Sequence, residues 1–114
     1  MLEDCYNNWR KKMKQLTLPK KIQVGDNWYS VDVVESMRNK SFMGEANYAD
    51  RKITLGRKTH HGVPFKLSAL HETFWHELTH CILESMGEHD LNNNENFVEE
   101  FSHRLAKAIE TARF

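Results

Sequence analysis

The sequence predicts one small α+β domain in which strands come first and helices follow. Its 114 residues match the length of a single domain, residues 1–114, with enough apolar side chains for one core. Up to Leu55 the chain alternates apolar and polar residues between turn signals, whereas from Leu67 onward apolar residues recur at helical spacing. We therefore expect a small antiparallel sheet of about three strands packed against two helices.

The N-terminal residues favour a short helix over residues 3–16. Apolar residues recur at helical spacing within it: Tyr6, Trp9, Met13 and Leu16. Pro19 ends this helix, because the residue before a proline disfavours helical backbone angles.

The strands are predicted between this helix and Leu55. Residues 22–24 and 28–34 alternate, and the turn residues 25–27 between them indicate a hairpin. Residues 45–48 and 51–55 are predicted to form either two more strands or one interrupted strand.

Two helices are predicted after the strands. The first begins near Ser68, whose side chain can cap it, and ends at Gly87. Its apolar side comprises Leu67, Leu70, Phe74, Leu78 and Ile82, and two histidines fall nearly opposite. The last helix runs to about Ala112. A flank of small and acidic residues lets it approach the first helix closely: Glu95, Glu99, Ser102 and Ala106.

The most informative stretch is His76-Glu77-Leu78-Thr79-His80, an HExxH motif. Imidazoles four residues apart on a helix lie one turn apart on one face, so His76 and His80 can both bind one metal ion. Glu77 lies at the edge of that face, where its carboxylate can hold and deprotonate a metal-bound water. The motif predicts a zinc ion (Zn) that activates water for peptide hydrolysis, with Glu77 as the catalytic base.

The third metal ligand is sought after the motif, because a catalytic zinc takes three protein ligands and leaves one position for water. The candidates are His89, Glu95, Glu99, Glu100 and His103, of which Glu100 lies away from the apolar stripe of its helix and is expected to face solvent. His89 lies just past Gly87 in a connection, where a ligand is held less rigidly. Glu95 is three residues after Asn92, a spacing that suits a helix cap. Glu99, one turn further along the helix, is therefore the predicted third ligand.

The charge of the chain gives no reason to expect nucleic acid or a membrane as a partner. Lys and Arg total 16, and so do Asp and Glu, so the net charge is zero. No stretch approaches transmembrane length, and no signal peptide is recognisable. The two cysteines, Cys5 and Cys81, suit a reducing compartment, so a cytoplasmic protein is expected.

The motif helix and the glutamate after it resemble the gluzincins, HExxH zinc peptidases whose third ligand is a Glu on the next helix. That Glu often opens a Glu-x-x-Ser/Ala-Asp/Asn pattern, and residues 99–103 here are Glu-Glu-Phe-Ser-His, with His103 departing from it. Residues 70–86 and 97–105 also resemble small phage-encoded metallopeptidases of the ImmA/IrrE-like kind. The resemblance implies a minimal zincin-like domain, bound zinc, peptide hydrolysis and a phage or mobile-element origin, with the host cytoplasm as its location.

The resemblance also leads to expectations about catalysis. A side chain that stabilises the oxyanion is sought among Tyr48, His60, His61 and His103, and the sequence does not choose between them. The substrate, a peptide or a protein such as a repressor, is expected as an added strand along residues 51–55.

Two other functions are weighed against a peptidase. One is a zinc-binding interaction module that cleaves little, which the small size favours and the presence of Glu77 disfavours. The other is nucleic-acid processing, as in SprT-like zincins, and the basic or zinc-ribbon segments usual in those proteins are missing from this sequence.

Overall fold

The computed structural model describes residues 18–38 and 43–114 of the chain. The described residues form four strands and three helices: β1 (Lys21–Val24), β2 (Asn27–Val34), β3 (Gly44–Asn47), β4 (Lys52–Gly56), α1 (Leu67–Met86), α2 (His89–Asn92) and α3 (Glu95–Thr111). The α+β class and the order of strands before helices are confirmed. The helix predicted over residues 3–16 lies outside the described residues.

The sheet is mixed, with the strand order β1-β2-β4-β3. The β1–β2 and β3–β4 pairs are antiparallel, as hairpin signals predict, but β2 and β4 run parallel. The two hairpins thus lie side by side, joined by a parallel pairing of β2 with β4. This differs from the expected antiparallel sheet of about three strands, because alternation identifies strands without identifying their neighbours.

The strand predicted over residues 51–55 is not an edge of the sheet. It corresponds to β4, which pairs with β2 on one side and β3 on the other, and both Ile53 and Leu55 are fully buried. In the part of the chain that the structure describes, β3 has no strand on its outer side. The expectation that a substrate adds to residues 51–55 is therefore corrected, because the edge strands of the described sheet are β1 and β3.

The core lies between one face of the sheet and α1. Its buried members are Val24, Tyr29, Val31, Ile53, Leu55, Phe74, Leu78 and Cys81. β3 lies unusually close to α1 at Gly44. A methyl group placed on Gly44 would meet Thr73 Cγ2 at 2.7 Å and Leu55 Cδ2 at 2.9 Å, so a side chain here would displace the strand.

The helix α1 is covered on two sides, by the sheet and by α3. Its buried residues therefore extend beyond the predicted apolar side and include Glu77, Thr79, Cys81 and Leu83. Val98, Ser102 and Ala106 are the buried residues of α3, and the last two are the small side chains predicted to allow close approach. Phe101, a large apolar residue of the same helix, is 46% exposed.

The ends of α1 follow local backbone chemistry. Its N-cap is Lys66 rather than Ser68, and no side chain caps that end. Gly87 ends the helix as predicted, with a left-handed φ of 72° that glycine adopts without a steric penalty. Among residues 18–38 and 43–114, no helix combines the length and apolar character that crossing a bilayer requires.

Candidate metal centre

Two histidines of α1 and the first residue of α3 converge at one point. His76 Nε2 lies 3.3 Å from Glu95 Oε2, and His80 Nε2 lies 3.1 Å from Glu95 Oε1. All three residues offer a ligand atom within 4.8 Å of the others. Two ligands of a tetrahedral zinc, each about 2.0–2.1 Å from the ion, are separated by about 3.3–3.4 Å. The observed spacing therefore fits a zinc ion held by His76, His80 and Glu95.

The opposite ring nitrogen of each histidine is held by an oxygen acceptor. His80 Nδ1 donates to Asn92 Oδ1 at 2.5 Å, and His76 Nδ1 lies 2.9 Å from Glu99 Oε2. A proton held on Nδ1 leaves the lone pair of Nε2 free to bind a metal. Both imidazoles are therefore fixed in the tautomer and orientation that metal-binding histidines adopt.

Asn92 connects His80 to the sheet. It is 8% exposed, and its Nδ2 donates to the Tyr48 hydroxyl at 3.1 Å, so its Oδ1 is the atom that faces His80. Tyr48 directly follows β3. This role was not predicted, because Asn92 lies in a run of three asparagines that suggests an ordinary polar connection.

Glu77 is buried beside the two histidines, with 9% of its surface exposed. Burial raises the pKa of its carboxyl group, the neighbouring His76 and His80 lower it, and the charges of Glu95 and Glu45 raise it further. The net shift is upward, which makes this carboxylate a better proton acceptor than an exposed glutamate.

These groups line a pocket of about 310 Å³ between the outer strand of the sheet and the helices α1 and α3. Its walls are formed by Gly44, Glu45, Ala46, Tyr48, His76, Glu77, His80 and Glu95. The HExxH residues thus face a cavity that opens beside β3, the edge strand.

The predicted third ligand, Glu99, lies behind His76 rather than beside both histidines. Its carboxylate meets Nδ1, whereas the carboxylate of Glu95 lies against Nε2 of both rings. The capping role expected for Glu95 does not occur, because Asn94 caps α3 by accepting from the Phe97 N–H and Glu95 is the first helical residue. The geometry therefore favours Glu95, the alternative ligand, over Glu99.

The remaining histidine candidates lie away from the pocket. His89 is exposed and lies 3.8 Å from Glu84, and His103 is exposed and lies 3.7 Å from Glu72. His60 and His61 lie exposed in the loop before α1, with ring centroids 3.9 Å apart. Of the four candidates for stabilising an oxyanion, Tyr48 is the one that lines the pocket.

Cys81 points into the core although it follows His80 in sequence. It is fully buried, and burial raises the pKa of its thiol to about 12. Its side chain packs in the core and does not line the pocket.

The chain matches no family model, no curated protein and no solved structure.

Proposed function

We propose that this protein is a zinc-dependent endopeptidase of the gluzincin type, with His76, His80 and Glu95 as metal ligands. The observation that supports it best is the matched restraint of two histidines, each held through Nδ1 while its Nε2 faces the same carboxylate. A zinc ion bound there would supply a Lewis acid that acidifies a water molecule and polarises the scissile carbonyl.

Glu77 is proposed to move the proton. Its buried carboxylate lines the same pocket as the metal ligands and accepts a proton from the attacking water. The protonated carboxyl group then donates that proton to the nitrogen of the leaving amine. A raised pKa suits both steps, because the carboxyl group must take up and release a proton within one reaction cycle.

Tyr48 is proposed to stabilise the oxyanion. Its hydroxyl oxygen accepts a hydrogen bond from Asn92 Nδ2, which leaves its own proton available to a substrate oxygen in the pocket. Asn92 thereby contacts both His80 and Tyr48.

The outer edge of β3 is proposed to bind the substrate backbone. Gly56 N–H donates to Met43 C=O, so alternation directs the peptide groups of Gly44 and Ala46 away from β4. Both residues line the pocket. An extended peptide that pairs with them would pass beside the metal ligands.

A zinc-binding interaction module is the second candidate function. The side chains of Glu95 and Glu99 are 68% and 72% exposed, so the site is open on the α3 side and has little wall there to hold a substrate. In such a module the zinc would be retained and hydrolysis would be negligible.

The two functions are separated by measuring metal content and peptide cleavage on the same preparations. We expect about one zinc per chain in the purified protein. His76→Ala and His80→Ala should lose it, while His103→Ala, a control outside the pocket, should keep it. Glu77→Gln should keep the zinc and abolish cleavage of a peptide library.

Full cleavage by Glu77→Gln would overturn the peptidase assignment. Wild-type protein that holds zinc and cleaves no peptide would favour the interaction module. Equal zinc in His76→Ala, His80→Ala and wild type would remove the metal centre itself.

A further inference from the structure

We propose that Glu45 selects peptide segments that carry a lysine or arginine beside it on the β3 edge. This inference rests on the proposed function, because it specifies which peptides the site takes.

Glu45 is an exposed residue of β3, the outer strand beside the pocket. Three of the lining residues are glutamates, and none is a lysine or arginine. Two of these glutamates have roles in the proposed function, Glu95 as a metal ligand and Glu77 as the base. Within residues 18–38 and 43–114, Glu45 forms no ion pair and no side-chain hydrogen bond, so its carboxylate has no partner there.

Glu45 is also in the right register for an incoming strand. It lies between Gly44 and Ala46, whose peptide groups point outward from the sheet. Ala46 packs against the core, so alternation places the Glu45 side chain on the opposite, exposed face. A peptide paired with β3 would present one of its own side chains on that same face.

Side chains directly opposite each other on paired strands have Cβ atoms about 4.5–5.5 Å apart, close enough for opposite charges to attract. Exposed pairs of this kind are weak because water screens them. The expected preference for a basic over a neutral residue is therefore modest, up to about fivefold in affinity.

The test measures binding rather than cleavage, using the full chain with the Glu77→Gln substitution in the presence of zinc. Fluorescent peptides of one parent sequence carry Lys, Gln or Glu at one position at a time, and fluorescence anisotropy gives each Kd. One position should favour Lys over Gln by up to about fivefold and disfavour Glu. Adding Glu45→Gln should remove this preference, and Glu45→Lys should reverse it.

Glu110→Gln is the matched control, because it removes the same charge from an exposed site on α3 outside the pocket. It should leave the preference unchanged. A preference for Lys that survives Glu45→Gln, or no preference at any position, would overturn the inference.

Cleavage of the same peptides by wild-type protein separates this failure from failure of the proposed function. A Glu45-dependent preference without cleavage would leave the recognition in place and remove the peptidase. Cleavage without a Glu45-dependent preference would do the reverse.

Discussion

The two histidines of the HExxH motif face the same carboxylate but are held in different ways. His80 is held by Asn92, which is 8% exposed and uncharged and is tied in turn to Tyr48 beside the sheet. His76 is held by Glu99, a charged residue whose side chain is 72% exposed. One support is a buried connection between three segments of the chain, and the other is a contact between two helices through an exposed carboxylate.

Because of this difference, we expect Asn92 and Glu99 to contribute differently to holding the two histidines. An exposed carboxylate is screened by salt and loses side-chain entropy when it is held in one geometry. A buried amide that is hydrogen-bonded on both sides has no alternative partner in water, so removing it leaves polar groups unpaired. We therefore expect the imidazole of His80 to be held more rigidly than the imidazole of His76.

The largest expected effect is on zinc affinity, and it distinguishes Glu95, the proposed metal ligand, from Glu99, which contacts a histidine. Glu95→Gln should weaken zinc binding by more than about 100-fold, beyond the range typical of groups that only support a ligand. Glu99→Gln is the matched control, because it makes the same change on the same helix and should cost less. Zinc affinities from competition with a chelator dye would show the order. If Glu99→Gln costs more than Glu95→Gln, the sequence-based choice of Glu99 as ligand is restored.

The second effect compares the two supports directly. Asn92→Ala should weaken zinc binding by about 10–100-fold, and Glu99→Ala by less than about 10-fold. Salt sharpens the contrast, because the loss caused by Glu99→Ala should shrink at high ionic strength while that caused by Asn92→Ala should not. Equal losses with equal salt dependence would contradict the distinction between the two histidines.

The smallest effect on metal binding is expected at Tyr48. Tyr48→Phe removes the acceptor for Asn92 Nδ2 and leaves the bond from His80 to Asn92 in place, so zinc affinity should fall only a few-fold. Peptide cleavage should fall much further, by about 100-fold, because the proposed oxyanion donor is lost. Parallel losses in zinc affinity and cleavage would reduce Tyr48 to a purely structural role.

The sequence was sufficient to predict α1 and the position of the HExxH histidines on it, because both depend on local spacing. The pattern of α1, its end at Gly87 and the position of the two histidines are all fixed within about one turn of helix. The flank of α3 that packs on α1 followed from its small residues, Ser102 and Ala106.

The remaining features depend on contacts between distant segments. Glu95 is the carboxylate that faces Nε2 of both histidines, because α3 begins at Glu95 with Asn94 as its cap. The residue at which a helix begins is not determined by spacing alone. Asn92 and Tyr48 are 44 positions apart, so neither reveals the other in the sequence. The edge position of β3 depends on which hairpin lies next to which, and alternation does not encode that order.

The parallel pairing of β2 with β4 bears on how the protein folds. Each hairpin can form from neighbouring residues, whereas the pairing of β2 with β4 joins segments that are further apart in sequence. This pairing is therefore expected to form more slowly than either hairpin. Tyr48 belongs to the second hairpin, so the hydrogen bonds from Asn92 to His80 and Tyr48 also require that hairpin to pack against α1 and α2. A cation that binds the native arrangement of these segments would stabilise it over less folded states. Refolding with and without zinc would reveal that stabilisation.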